Sequence, residues 1–279
     1  MKNKKLIKNI TKILSVIALL ILSAVYIIPF VFTIGTSLMT FPETIAYPPN
    51  LLPKEPQFEN YVVAFENINL LHYLKNSIII TTVAIIGQIF VCIPAAYAFA
   101  KKKFKFKNFL FPFILFDLII PAAVVFLPIF LTVVKFEWLN TYKALTIPFF
   151  YSAFSIFFLT QSFRTIPDEL LDAAKIDKAS EFQLIKDILI PSSRAVIITV
   201  GLFTFISRWN DYFWVTVLTT DETVRTLPMA VQNLLSVGDG MIHWNIVMAG
   251  NVFLMVPMLI IYFFASKSIK KAFTYGGIK

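Results

Sequence analysis

The chain is poor in charge. Only 15% of its 279 residues are Asp, Glu, Lys or Arg, where a soluble domain carries about a quarter. It has one cysteine, Cys92, set in an apolar run, so an intramolecular disulfide framework is excluded. Its two histidines, His72 and His243, are too few and too far apart to suggest a metal site. Its eight glycines, at 35, 87, 201, 238, 240, 250, 276 and 277, form no Gly-x-x-x-x-Gly-Lys-Ser/Thr loop. The chain therefore lacks that phosphate cradle.

Apolar residues are what the chain has in quantity. They make up 58% of it, with 30 phenylalanines and a mean hydropathy of +0.76. A spanning helix needs about 20 mostly apolar residues. Six segments meet that need: 13–36, 77–99, 109–134, 144–163, 195–218 and 242–265. The first has the basic start and apolar middle of a signal peptide. Its apolar stretch is too long, however, and no convincing small-x-small cleavage site follows, so an uncleaved span is expected. The chain is thus read as all-α, a polytopic membrane protein of one domain, residues 1–279.

The net charge of +9 raises the question of nucleic acid, and the distribution of the charge answers it. Nineteen of the 25 basic residues fall in the N-terminal arm, the "KKKFKFK" connection at 101–107, the 164–194 segment and the C-terminal tail. With six spans these four segments share one face. By the positive-inside rule that face is cytoplasmic, and both termini lie there. The basic excess reports topology and needs no nucleic-acid partner. Outside lie a proline-rich connection near 38–75, with a short helix expected at "NYVVAFENI", and the 219–241 loop.

The segment 164–193 is the anomaly, since eleven of the 31 residues from Arg164 to Arg194 are charged. Thr165 is a candidate N-cap, with Pro167 in the first turn and Asp168 and Glu169 where a helix dipole favours acids. Ala173 and Ala174 give a small, close-approach surface. Ser180 and Gln183 have capping-box spacing, Phe182, Ile185, Ile188 and Leu189 recur at helical spacing, and Pro191 ends the pattern. Two short helices with a turn near Lys178 are expected. On pattern alone, a plain amphipathic loop on the membrane surface is the competing reading.

The spacing carries a resemblance. Asp172-Ala173-Ala174, three residues, Lys178, nine residues, then Ile188-Leu189-Ile190-Pro191 resembles the Glu-Ala-Ala signature of permease subunits of bacterial ATP-binding-cassette (ABC) importers. Asp172, Lys178 and Ile190 depart from the family's Glu, Gly and Leu. If the turn needs left-handed backbone, Lys178 in place of glycine costs on the order of 1 kcal/mol. "PAAYAFAKKKFKFKNFL", "FLPIFL", "LNTYKAL", "SRWNDYFWVTVLTTDETVRTLP" and the ending "FTYGGIK" are similar, in order, to carbohydrate importers of the maltose type.

The resemblance implies the type I importer fold in a bacterial cytoplasmic membrane. It also implies a partner set: a second homologous permease subunit forming a heterodimer, two ATP-binding subunits and an extracytoplasmic solute-binding protein, besides the lipid bilayer. The chain itself would be non-catalytic and hold no cofactor; ATP and Mg would sit on the ATPase. Its coupling helix would carry Asp168, Glu169, Asp172, Ala173, Ala174, Asp177, Lys178 and Ala179 to that ATPase. The tail residues Gly276, Gly277 and Lys279 would reach the ATPase too, and a loop with Gly238, Asp239 and Gly240 would meet the binding protein. For that loop the competing reading is an inert connector with a short helix at "LPMAVQNLL".

Charged groups inside spans are costly and suggest function. Asp117 in the third span would lie about 14 Å from the cytoplasmic end, and Arg208 in the fifth about 21 Å. Asp211 shares the fifth span. Two readings stay open: an ion pair that fixes packing, or a polar lining for a sugar together with Trp209 and Asn210. Within the importer class a glycerophosphate-type solute is the alternative cargo. A channel or secondary transporter would not need the 172–191 signature. An integral-membrane enzyme would need a cluster of acid, base or metal ligands at one membrane face, and the sequence offers none.

Overall fold

A computed structural model of the chain describes residues 2–236 and 240–275. Among these residues there are helices and no strand. In chain order we label α1 Lys2–Ser37, α2 Glu59–Asn67, α3 Leu70–Lys101, α4 Lys107–Phe116, α5 Ala122–Lys135, α6 Tyr142–Thr146, α7 Ala153–Arg164, α8 Asp168–Ile176, α9 Glu181–Ser192, α10 Arg194–Trp209, α11 Phe213–Leu218, α12 Leu227–Asn233 and α13 Trp244–Tyr275. Helix α2 is the one expected at "NYVVAFENI", and α12 lies at "LPMAVQNLL", where the inert-connector reading put a short helix.

Three helices are long and apolar enough to cross a membrane, over Asn9–Ser37, Leu70–Lys101 and Trp244–Ala272; two bent pairs raise the number to five if each is one span. The six expected spans are therefore not six single helices. The third, 109–134, is divided into α4 and α5. Pro121 has no amide hydrogen to donate and turns Ile120 away from helical backbone. The fourth bends by 42° between Phe149 and Ala153. The fifth, 195–218, is interrupted at residues 210–212.

The chain divides into two compact units. The first comprises Met1–Asn69 and Val231–Val256. Its helix α1 shows an apolar surface with nothing of its central window buried. Ser15, Ser23 and Thr33 turn their hydroxyls onto the carbonyls of Thr11, Leu19 and Pro29, one turn back, which removes the cost of an unpaired donor in hydrocarbon. Asn60 of α2 finishes α1 by donating to the Ser37 and Met39 carbonyls at 2.9 and 2.8 Å. It is held in turn by Asn245, which donates to its Oδ1 at 2.8 Å.

The second unit comprises Leu70–Ala230 and Pro257–Lys279. Its core is one face of α3 against α7 and α10. Cys92, Ile93, Ala96 and Tyr97 meet Ile156, Leu159, Phe163 and Val200 there. Gly87 is needed for this approach: a Cβ at that position would stand 2.2 Å from the Phe150 ring.

Candidate functional site

Residues 164–193 form an ordered pair of helices seated on the core. Leu171 of α8 and Leu184 and Leu189 of α9 are buried in the α3–α7 cluster. Lysines of the α3 terminus clamp both helix starts. Lys101 Nζ lies 2.6 Å from Asp168 Oδ1 and also donates to the Ile166 carbonyl. Lys102 Nζ lies 2.5 Å from Glu181 Oε1, whose other oxygen accepts from the Tyr97 hydroxyl.

The hydrogen bond and then the charge of Lys101 hold the Asp168 carboxyl below its usual value. Hydrogen bonds from Lys102 and then Tyr97 do the same for Glu181. A depressed carboxylate stabilises the fold above its unfolded pKa and loses that contribution as pH falls through the lower folded value. Both clamps therefore hold at neutral pH, and on the carboxylate side they open in acid. Their carboxylates are exposed, so each contributes little alone.

The turn between α8 and α9 has a defined motif. Lys178 has φ +60°. Its amide donates to the Lys175 carbonyl, and the Ala179 amide donates to Ala174. These are the two bonds of a Schellman cap with the left-handed residue in the place that favours glycine. Exchanging Lys178→Gly should stabilise the chain by about 1 kcal/mol. In detergent this should read as a melting point higher by about 2 °C. An unchanged or lower melting point would show that the lysine side chain contributes an interaction of its own.

The capping box at Ser180 and Gln183 is present. Two expectations fail. Thr165 does not cap α8; it closes α7, with its hydroxyl on the Ser162 carbonyl, and Pro167 precedes α8 in extended backbone. Pro191 does not end α9. The helix widens to a π-turn over Leu184–Leu189 and continues to Ser192, and the 84° bend follows there. Widening relieves the clash between the proline ring and the preceding turn, so the break is moved past the proline.

The paired alanines part company. Ala174 packs against the core cluster, as does Ala179 across the turn. Ala173 is exposed, together with Asp168, Glu169, Asp172, Asp177 and Lys178. Phe182, expected to share a face with Ile185, Ile188 and Leu189, is instead 71% exposed, and sequence reading missed the apolar neighbours of Ala173, Leu170 (52% exposed) and Ile176 (82%), three residues to either side. Their i, i+3, i+6 spacing could have revealed them. A second apolar face outside the buried one is unusual on so short a helix.

The polar residues of the predicted third and fifth spans meet at a cavity of about 590 Å³ that includes Asp117 and Arg208 in its lining. Phe149, Tyr151, Phe203 and Ser207 also line it. Its floor is a buried chain of hydrogen bonds that sequence reading missed: Thr204 donates to Gln88 Oε1 at 2.9 Å, and Gln88 Nε2 donates to Ser155. A lone glutamine in the long apolar run of α3 was the available signal.

Arg208 is paired with Asp211, not with Asp117. Its Nη1 lies 2.8 Å from Asp211 Oδ2, with 12% and 11% of the two side chains exposed. The guanidinium also stands 3.9 Å from the Phe149 ring centre, and Asp211 Oδ1 accepts from the Trp214 amide. The cation thus ends α10 and the anion begins α11, each at the helix end whose dipole it suits. Trp209 is 2% exposed and stacked on Phe205, away from the cavity lining. Asn210 is exposed and donates to the Ile206 carbonyl and to Met258 Sδ.

The first part of the 219–241 loop is clamped to α3. Asn76 donates to the carbonyls of Thr223 and Arg225 at 3.0 and 2.9 Å, and the Ser77 hydroxyl accepts from the Leu227 amide. Gly240 has φ +92°, with open space where a Cβ would stand. Gly238, Asp239, Gly276, Gly277 and Lys279 lie outside the described residues.

Comparison with known proteins gives these surfaces a setting. Residues 88–275 match the family of binding-protein-dependent transport system inner membrane components. A provisionally named ABC transporter permease protein, ORF2, of Caldicellulosiruptor sp. (strain Rt8B.4) is 34% identical over 90% of this chain and 91% of its own. The sn-glycerol-3-phosphate transport system permease protein UgpE of Brucella abortus (strain 2308) is 30% identical over 84% and 85%. A chain of a bacterial ABC transporter involved in the import of the acidic polysaccharide alginate superimposes with a TM-score of 0.82 at 22% identity, covering 94% of this chain and 97% of that one. The chain is a membrane protein and belongs to the family of binding-protein-dependent transport system inner membrane components, the permease subunits of ABC importers.

Proposed function

We propose that the chain forms half of the translocation pathway of an ATP-driven importer in a bacterial cytoplasmic membrane, with six membrane crossings and both termini cytoplasmic. The other half is a second, homologous permease subunit. Two ATP-binding subunits beneath the membrane hold the ATP and Mg, and this chain takes no part in hydrolysis. The observation that carries the reading is the outward apolar face Leu170–Ala173–Ile176 on a helix whose opposite side is fixed to the core through Leu171. Such a helix moves as a rigid lever when a partner grips it. The tail beyond Tyr275 extends the same contact with the ATPase. The 219–241 loop is the surface offered to an extracytoplasmic binding protein. A binding-protein partner, though not the choice of this loop, is supported by the alginate transporter whose structure includes a pentasaccharide-bound periplasmic protein.

The cargo is a neutral carbohydrate. Hydroxyl and amide groups of Ser155, Ser207, Thr204 and Gln88, beside the Phe149 and Tyr151 rings, suit a polyol. Arg208, the sole cation of this lining, is already matched by Asp211, and Asp117 adds a carboxylate. A phosphate monoester would find no free positive charge there. The UgpE relatives favour glycerophosphate as the second reading. Reconstitution with the partner subunits into proteoliposomes, with a loaded binding protein outside, decides between them. ATP-dependent uptake of a labelled neutral oligosaccharide without uptake of glycerophosphate is expected. The reverse result overturns the carbohydrate reading, and uptake that persists without ATP overturns the importer.

A further inference from the structure

The lysines of the "KKKFKFK" connection do two different jobs. Lys101 and Lys102 are engaged by Asp168 and Glu181. Lys103, Lys105 and Lys107 are not: among the described residues no carboxylate lies within ion-pair distance of them, or of Arg164 nearby. Lys103 and Lys107 line a hollow of about 270 Å³ with Phe104, Phe106 and Asn108. Phe106 stands in left-handed backbone, φ +65°, which shapes the rim, and Lys105 stands 5.0 Å from its ring centre. Burial first, and the Arg164 guanidinium second, push the Lys107 ammonium below its usual pKa. Lys107 Nζ donates to the Lys102 carbonyl at 2.8 Å, so its partner is a neutral group and its charge is not matched by an acid.

An apolar strip starts at this cationic collar. Phe106, Phe109 and Phe113 are 64%, 68% and 66% exposed. Phe109 and Phe113 stand one turn apart on one side of α4, their ring centres 6.1 Å apart, and Phe106 is the residue that leads into that helix. Charge alone would also suit an acidic protein surface. Such a surface would leave the phenylalanine strip uncovered, whereas a lipid covers both parts.

We propose that the 103–107 connection and the adjoining face of α4 form a binding site for an anionic phospholipid, with its phosphate among Lys103, Lys105 and Lys107 and its acyl chains along Phe109 and Phe113. The proposal rests on the importer reading only in placing this connection at a membrane surface. It goes beyond the positive-inside rule, which counts basic residues and does not require that Lys103 and Lys107 line one hollow with Lys105 over the Phe106 ring at its rim.

The test uses the purified permease assembly in nanodiscs of equimolar phosphatidylglycerol and phosphatidylcholine. Lipids retained after detergent extraction are counted by native mass spectrometry. The parent should retain phosphatidylglycerol preferentially. The K103Q/K105Q/K107Q variant should bind it on the order of a hundredfold more weakly, since each lysine near an anionic surface contributes appreciably and the effects add. The matching Lys→Arg variant should keep the preference. A K2Q/K4Q/K5Q variant, which removes equal charge from the same expected face, should keep it too. An unchanged preference in K103Q/K105Q/K107Q overturns the site. So does an equal loss in the N-terminal variant, which would mean bulk attraction only. Loss of the ATPase subunit from K103Q/K105Q/K107Q with lipid retention intact would instead assign the patch to a protein. Resistance of each variant to alkaline extraction from membranes shows whether its insertion is preserved, so failure of the lipid site and failure of the membrane reading are told apart.

Discussion

Ala173→Trp is expected to remove the proposed ATPase subunits from the purified assembly while leaving the permease itself as stable as the parent. Ala173 is exposed in the middle of the Leu170–Ile176 face, so an indole there meets no neighbour within the chain. Its effect on the chain's own stability should stay within about 0.5 kcal/mol. On a partner shaped to take a methyl group, the same indole blocks a central contact. Truncating such contacts typically costs 2 kcal/mol or more, so recovery of the ATPase should fall on the order of a hundredfold. The adjacent Ala174→Trp behaves differently. Ala174 packs against the core cluster, and overfilling that site should destabilise the permease by about 1–3 kcal/mol. Co-purification together with a melting curve separates the two outcomes. Parent-like ATPase recovery with Ala173→Trp would place the docking surface elsewhere on the chain.

The second large effect belongs to the break between α10 and α11. Arg208→Met leaves Asp211 with 11% of its side chain exposed and no counterion. Breaking a buried pair from one side costs about 3–5 kcal/mol. Asp211→Asn leaves the arginine in the same position, although its amide oxygen can still accept from the Trp214 amide. The double variant R208M/D211N removes both charges and should recover at least about 2 kcal/mol of the summed loss, because the solitary buried charge is the main penalty. Thermal unfolding in detergent reads the cycle. A purely polar lining predicts the opposite: melting points near the parent for all three, with uptake abolished. The cycle therefore decides between the two readings of these charges that the sequence left open.

Much of the architecture was legible because a bilayer imposes a simple rule. Backbone groups in hydrocarbon must pair within the segment, so a long apolar run is a helix. α1, α3 and α13 follow from that rule alone. The charged helices between Arg164 and Arg194 were legible for a similar reason. Capping at Ser180, the acids at Asp168 and Glu169 and the turn at Lys178 all act within a few residues, and local signals of that kind survive in any tertiary setting.

What the sequence could not decide is which side of each element is covered, because burial depends on neighbours distant in the chain. Ala173 and Ala174 are adjacent and chemically identical, yet only the packing of α8 on Phe163 and Leu184 turns one inward and leaves the other exposed. Trp209 reads as a sugar platform in "RWNDYFW" until Phe205 stacks on it. Arg208 has two acids within reach by depth, and the interruption at 210–212 gives it Asp211 at 2.8 Å while leaving Asp117 on the cavity wall. The five lysines of the 101–107 connection are equivalent as composition. The packing of α8 and α9 on the core brings Asp168 and Glu181 to the first two, and among the described residues the last three have no carboxylate within ion-pair distance. Periodicity and capping are short-range and so were fixed by the chain alone, whereas the partner of a charge is a matter of distance in space, which only the tertiary structure decides.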